Sequence, residues 1–122
     1  MDEILPGLYL GDANDALKAE GMVIICVLEV KPLTEPQGAI FFPFLENGIA
    51  NMNILRDFAS TVDRLLTDGK KVLVHCGGGI ERSPLAVAFY ISWKRGIPIE
   101  EAYQIVEQKH PQTQRRLYWL PH

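Results

Sequence analysis

The stretch VLVHCGGGIERSP, residues 72–84, constrains the fold more than any other part of the sequence. It opens with β-branched and apolar residues, which predict a strand over residues 71–76 that is buried on both faces. Three glycines follow, and Pro84 then suits the first turn of a helix, where a missing N–H costs nothing. A buried strand joined by a short loop to a helix is typical of parallel α/β sheets.

The rest of the chain alternates strands and helices in the same way. Apolar runs predict further strands over residues 7–11, 22–30 and 39–45. Periodic apolar residues with helix start and stop signals predict helices over residues 12–20, 51–67, 83–95, 98–110 and 113–120. We therefore expect an α/β fold with a mostly parallel central β-sheet flanked by helices.

Composition limits the functions that are open to the chain. The net charge is −3, so no basic excess is available for binding nucleic acid, and any phosphate recognition must be local. The apolar runs are too short to span a bilayer, and the start MDEILPG is unlike a secretory signal. Two cysteines, Cys26 and Cys76, are too few for a disulfide framework. We expect one domain over residues 1–122, cytoplasmic and monomeric, without nucleic-acid or membrane partners.

The glycine loop predicts an anion site next to a reactive thiol. In parallel α/β sheets, ligands bind beyond the carboxyl ends of the strands, where a loop leads into a helix. Glycines let successive N–H groups converge on an anion, and the helix N-terminus adds the positive end of its dipole. These dipoles and Arg82 favour a thiolate at Cys76, and the planar fork of Arg82 matches two phosphate oxygens. We therefore expect a phosphate-binding loop between a central strand and a helix, and we call residues 76–82 the phosphate loop.

The same stretch resembles a known motif. His75-Cys76-Gly-Gly-Gly-Ile-Glu-Arg82-Ser83 is similar to the H-C-x5-R-S/T motif of cysteine-dependent protein tyrosine phosphatases. The resemblance covers most of the chain and is greatest to compact dual-specificity phosphatases. ILPGLYLGDANDA is similar to their opening strand and helix, and GIPIEEAYQIVEQKHP to their late helix. It implies hydrolysis of phosphorylated proteins or peptides, with small phosphomonoesters as a further substrate class, and neither a cofactor nor a metal.

The resemblance also implies roles for individual residues. Cys76 would attack phosphorus and form a cysteinyl-phosphate, which water then hydrolyses. Arg82 would bind the substrate and stabilise the transition state. Ser83 matches the hydroxyl that stabilises the leaving thiolate, and His75 matches the residue that orients the loop. Substrate would bind to Arg82 and to the backbone N–H groups of Gly77, Gly78, Gly79, Ile80 and Glu81.

The general acid is the part of the family pattern that this sequence does not reproduce. These enzymes carry an aspartate upstream of the cysteine, whereas the matching segment FFPFLENGIANM contains none. Glu46 follows a predicted strand in the right kind of loop, and its carboxyl group can transfer the same proton. A solvated turn carboxylate is the competing interpretation of Glu46. Glu81 within the phosphate loop and Asp57 on the polar side of a helix are the other candidates.

Two further points stay open at the level of sequence. Cys26 is interpreted either as a small core residue or, as in some relatives, as the partner of Cys76 in a reversible disulfide. The function is interpreted as phosphomonoester hydrolysis, as phosphate binding by a pseudophosphatase without efficient general acid catalysis, or as sulfur or arsenate chemistry. Ser83 favours hydrolysis, because a hydroxyl that serves a leaving thiolate has little value in a protein that only binds.

Overall fold

The strand that ends at His75 lies at the centre of a five-stranded sheet. The structure, a computed structural model, describes residues 1–121. In chain order its elements are β1 (Asp2–Leu5), β2 (Leu8–Gly11), α1 (Ala13–Lys18), β3 (Val23–Cys26), β4 (Ile40–Phe41), β5 (Leu45–Glu46), β6 (Ile49–Ala50), α2 (Met52–Thr67), β7 (Val72–His75), α3 (Arg82–Arg95), α4 (Ile99–Lys109) and a short 3-10 helix (Leu117–Trp119).

The large sheet is mostly parallel, as the sequence predicts. Its strand order is β1-β2-β7-β3-β4, and only β1 runs antiparallel to its neighbour. His75 at the end of β7 is paired with Gly11 on one side and with Cys26 on the other. Because the carboxyl ends of parallel strands meet at one edge, the loops that follow β2, β3 and β7 share that edge of the sheet.

Alternation along the strands divides the core into two layers. Val72 and Val74 of β7 face the larger cluster, to which α2, α3 and α4 contribute their apolar faces. Leu73 faces the opposite side and packs with Ile24 and with Ala16 of α1. Helices therefore cover both faces of the sheet, and the prediction of an α/β fold is confirmed. Across residues 1–121 the helices are all too short or too polar to cross a membrane.

Two predicted strands are shorter in the structure because the chain leaves the sheet early. The strand expected over residues 22–30 ends at Cys26, and the one expected over residues 39–45 pairs only at Ile40–Phe41. Pro43 carries no N–H and cannot continue the ladder. The chain then forms the antiparallel hairpin β5–β6, whose turn residues Asn47 and Gly48 have φ angles of 51° and 78°. Asn-Gly favours this kind of hairpin turn.

Near both ends of the chain the structure differs from what the sequence predicts. Strand β1 was not predicted, although Pro6-Gly7 separates two short apolar segments and is a turn signal. The helix predicted over residues 113–120 is wrong, since only Leu117–Trp119 forms a 3-10 turn. The N–H of Gln114 donates to the carbonyl of Ile80 in the phosphate loop instead of to a helical acceptor.

Candidate active site

The thiol of Cys76 lies against the hydroxyl of Ser83. Cys76 is the first residue after β7, and Ser83 lies in the first turn of α3, so the strand and the helix place the two side chains together. The distance from Cys76 Sγ to Ser83 Oγ is 3.2 Å, and both side chains are buried. The hydroxyl can donate a hydrogen bond to the sulfur, which stabilises a thiolate there.

Hydrogen bonds from the surrounding chain turn three carbonyl groups of the phosphate loop outward. They belong to Gly77, Gly79 and Ile80. Their donors are the N–H of Ala13 at 3.1 Å, Nε2 of His110 at 2.5 Å and the N–H of Gln114 at 2.9 Å, respectively. In a trans peptide the following N–H points opposite to the carbonyl. The N–H groups of the next residues therefore face the other side of the loop, where an anion can accept from them.

Only one glycine of the three is required by close packing. Gly79 has φ +68°, and a Cβ there would lie 2.8 Å from the carbonyl oxygen of Gly11 at the end of β2. A Cβ at Gly77 would meet no described atom within 4 Å, and its φ lies outside the left-handed range. Glycine therefore avoids a Cβ clash at position 79 and at neither of the other two positions.

The start of α3 adds donors that no side chain caps. Glu81 is the N-cap residue, and its side chain makes no capping hydrogen bond within the described part of the chain. Pro84 has no N–H, so Arg82 and Ser83 provide the free N–H groups of the first turn. An uncapped helix N-terminus next to inward-facing loop amides is a ready anion site.

Arg82 is held by a carboxylate that the sequence analysis did not single out. Its Nε and Nη2 both donate to the carboxylate of Glu29, the latter at 3.1 Å, and the hydrogen bond to Glu29 raises the pKa of Arg82. The guanidinium also lies over the ring of Trp119, 5.8 Å from its centroid. Glu29 occupies the same fork of donors that a phosphate would use. Its position just beyond β3, at the carboxyl edge of the sheet, is a signal that could have identified it.

His75 also has a carboxylate partner that was missed. Its Nδ1 donates to the carbonyl of Cys76 at 3.1 Å, and its Nε2 lies 2.7 Å from Glu35 Oε2. Both side chains are almost fully buried. Since a carbonyl only accepts, Nδ1 carries a proton, and Nε2 and the carboxylate share another. This fixes the ring against the first residue of the phosphate loop, whereas Glu35 itself lies in a proline-rich loop with no sequence signal.

The arrangement matches a known family. A family model described as "Dual specificity phosphatase, catalytic domain" matches residues 8–120. This chain belongs to that family. The prediction made from the H-C-x5-R-S/T motif is thereby confirmed.

Individual relatives of this phosphatase family support the same assignment. The chain is 35% identical over 119 residues to the protein-tyrosine-phosphatase IBR5 of Arabidopsis thaliana, covering 91% of this chain and 45% of that protein. It is 34% identical over 125 residues to the human serine/threonine/tyrosine-interacting protein, covering 89% of this chain and 56% of that protein. The chain therefore spans about half the length of these curated relatives.

Solved structures show the same fold. The crystal structure of human DUSP28 superposes with a TM-score of 0.78 at 22% identity, covering 94% of this chain and 87% of that one. The crystal structure of the human tyrosine phosphatase-like serine/threonine/tyrosine-interacting protein gives a TM-score of 0.79 at 26% identity, with the same coverage of both chains. The fold of this chain is thus that of dual specificity phosphatases.

The three candidates for a general acid occupy different environments in this phosphatase domain. Glu46 is exposed in the β5–β6 hairpin and accepts a hydrogen bond from Asn51 Nδ2 at 3.1 Å. Glu81 accepts from Arg116 Nε at 2.8 Å, so its carboxylate is held in an ion pair. Asp57 is exposed on α2, on the polar side of that helix as predicted.

Cys26 is a buried free thiol. Burial raises the pKa of Cys26 to about 11, with the carboxylate of Glu35 acting in the same direction, so the group is neutral at pH 7. This environment fits the interpretation of Cys26 as a core residue. Cys26, Glu35 and His75 offer ligand-type atoms within 4.8 Å of one another. The hydrogen bond between His75 and Glu35 already accounts for the proximity of those two side chains.

The close approach at Gly79 gives a first testable prediction. Gly79→Ala should cost about 1–3 kcal/mol of stability, because the new Cβ meets the Gly11 carbonyl in a left-handed conformation. Gly77→Ala is the matched control, and its stability should stay within about 0.5 kcal/mol of the wild type. Urea unfolding of both variants measures the difference. Equal losses would contradict the account of Gly79.

The Glu29–Arg82 pair gives a second prediction. Glu29→Gln should lower the dissociation constant of inorganic phosphate a few-fold, because exposed ion pairs contribute about 0.2–1 kcal/mol and the amide competes less well for Arg82. Glu107→Gln is the matched control, since Glu107 forms a similar two-contact pair with Arg115. Weaker phosphate binding by Glu29→Gln would show that Glu29 instead orients Arg82 for binding.

Proposed function

We propose that this protein hydrolyses phosphomonoesters of phosphorylated proteins or peptides through a cysteinyl-phosphate intermediate. The observation that carries the proposal is the 3.2 Å contact between Cys76 Sγ and Ser83 Oγ at the uncapped start of α3. It brings a nucleophile, an anion site and a stabilising hydroxyl together. Membership of the dual specificity phosphatase family supports the same activity.

In the first step, Cys76 is the nucleophile. The phosphate enters the phosphate loop, where the amides of residues 77–81 and the fork of Arg82 bind its oxygens in place of Glu29. The sulfur lone pair forms the S–P bond as the P–O bond of the ester breaks. Arg82 and the loop amides stabilise the charge on the equatorial oxygens in the transition state. The leaving oxygen takes its proton from a general acid.

In the second step, water replaces the cysteine. A water oxygen attacks phosphorus, the S–P bond breaks, and Cys76 leaves as a thiolate while the water proton passes to the conjugate base of the acid. Ser83 donates its hydroxyl hydrogen to the departing sulfur, which is why its position 3.2 Å away matters. His75, fixed by Glu35, holds the backbone from which the sulfur projects.

We propose Glu46 as the general acid. Glu46 is exposed and lies in a hairpin that follows β4, in the segment where the family carries its aspartate. Its hydrogen bond with Asn51, the N-cap of α2, gives the carboxyl group a defined orientation. Glu81 is less suited, because proton transfer would require it to leave its ion pair with Arg116.

The substrate class and setting are also proposals. The phosphate loop sequence GGGIE contains no lysine, which favours monophosphorylated side chains over polyanionic ligands. Phosphotyrosine is the proposed substrate, with phosphoserine and phosphothreonine as further ones. Two free thiols and a net charge of −3 fit a cytoplasmic monomer that binds neither nucleic acid nor a membrane. A single catalytic domain over residues 1–122 likewise remains a prediction.

Turnover of a chromogenic aryl phosphate tests the proposed function. The wild type should give steady turnover, and Cys76→Ser should reduce it to background, because a serine hydroxyl is a far weaker nucleophile at neutral pH. Cys26→Ala is the matched control and should retain turnover, since Cys26 is a neutral core thiol. Phosphate binding by the wild type without turnover would contradict hydrolysis and support the pseudophosphatase interpretation.

The choice of general acid gives a separate prediction. Glu46→Gln should slow hydrolysis of a phosphotyrosine peptide by about 10²–10⁴-fold, because that leaving group needs a proton. Hydrolysis of activated aryl phosphates should be slowed far less, because their leaving groups depart as stable phenolates without a proton. Glu81→Gln and Asp57→Asn are the controls. In both, the ratio of the peptide rate to the aryl phosphate rate should equal that of the wild type. Peptide hydrolysis at the wild-type rate in Glu46→Gln would rule Glu46 out.

A further inference from the structure

One short segment near the end of the chain holds the outer side of the phosphate loop. We call residues 110–116 the supporting segment. It contacts three consecutive loop residues: Nε2 of His110 donates to the Gly79 carbonyl, the N–H of Gln114 donates to the Ile80 carbonyl, and Nε of Arg116 donates to the Glu81 carboxylate. The conformation of the loop therefore depends on a segment that lies outside the H-C-x5-R-S/T motif.

His110 has the most unusual environment of these residues. Its side chain is 2% exposed, with Nε2 at 2.5 Å from the Gly79 carbonyl oxygen and Nδ1 at 2.6 Å from Asp2 Oδ2. Each ring nitrogen therefore faces an oxygen acceptor. A carbonyl oxygen only accepts, so Nε2 carries a proton. With Asp2 ionised, its carboxylate also only accepts, and Nδ1 then carries a second proton, which the measurement of ring protonation below tests. A ring with both protons is a cation, and Asp2 of β1 supplies its counter-charge.

The Gly79 carbonyl connects this cation to the site. In the trans peptide between Gly79 and Ile80, the N–H of Ile80 points opposite to that carbonyl. A cationic donor on the carbonyl fixes the plane of the peptide and polarises it, which strengthens the N–H as a donor to phosphate. His110 thus acts on the anion site through one backbone group, without touching the substrate.

We propose that His110, held by Asp2, is a positioning residue that orients and polarises the Gly79–Ile80 peptide for phosphate binding. The proposal rests on the proposed function only in assigning that anion to a phosphomonoester substrate. It assigns a role to a histidine that follows α4 and to an aspartate in β1, neither of which belongs to the H-C-x5-R-S/T motif.

The test measures phosphate affinity and ring protonation separately. In the chain of residues 1–122, the dissociation constant of inorganic phosphate should rise about tenfold in His110→Gln, which can keep one donor but loses the charge. The dissociation constant should also rise in Asp2→Asn, because this variant leaves the ring in place but removes its counter-charge. His110→Lys, which restores a cationic donor, should recover part of the affinity. Nitrogen-15 NMR of the wild-type histidines should show His110 with both ring nitrogens protonated at neutral pH.

A control variant separates this role from a general structural one. Arg115→Gln lies in the supporting segment, but Arg115 pairs with Glu107 and lies over the ring of Tyr103. Phosphate affinity should be unchanged in this variant. Equal weakening in Arg115→Gln and His110→Gln, wild-type affinity in both His110→Gln and Asp2→Asn, or a singly protonated His110 ring would each overturn the proposal.

Phosphate binding also keeps the two proposals distinguishable. If the wild type binds phosphate but hydrolyses no phosphomonoester, the proposed function fails. Weakened phosphate binding in His110→Gln and Asp2→Asn would still support the role of His110 under those conditions. If the wild type turns over substrate and these variants bind phosphate normally, the proposed function stands and the role of His110 is refuted.

Discussion

The rest of the site depends on the hydrogen bonds that other segments of the chain donate to the backbone carbonyls of the phosphate loop. The backbone carbonyls of Gly77, Gly79 and Ile80 accept hydrogen bonds from the N–H of Ala13 in α1, from His110 and from the N–H of Gln114, respectively. With the carbonyls bound on the outer side, the intervening N–H groups are left for a ligand. The loop therefore owes its anion site to segments far from it in sequence, and a fold that failed to deliver those donors would lose the site.

Carboxylates lie next to the basic side chains that surround this loop. Arg82 is paired with Glu29 and Arg116 with Glu81, and the His110 ring is hydrogen-bonded to Asp2. Because both arginines have a carboxylate partner, the positive charge around the loop is local, in keeping with a net charge of −3 for the whole chain. Of these carboxylates, only Glu29 occupies donors that a phosphate would need, so substrate binding has to replace that contact.

The sequence predicts the parts of this structure that local patterns encode. The strand–loop–helix unit around Cys76 and the helix Met52–Thr67 follow from apolar periodicity and from turn signals. Contacts between distant segments carry no such pattern. Glu35 beside His75, and the peptide N–H of Gln114 bonded to Ile80, depend on how the chain closes on itself, and the same long-range contact replaces the helix expected over residues 113–120. The motif therefore identifies the proposed nucleophile, whereas the groups that position it appear only in three dimensions.

Trapping the covalent intermediate tests the central claim most directly. Acid quenching during turnover, followed by peptide mass spectrometry, should find one phosphoryl group on the peptide that contains Cys76. Ser83→Ala should increase the trapped fraction, because the hydroxyl 3.2 Å from the sulfur assists the second step more than the first. Turnover with no phosphoryl group on Cys76 in either protein, or with the group on another residue, would contradict a cysteinyl-phosphate mechanism.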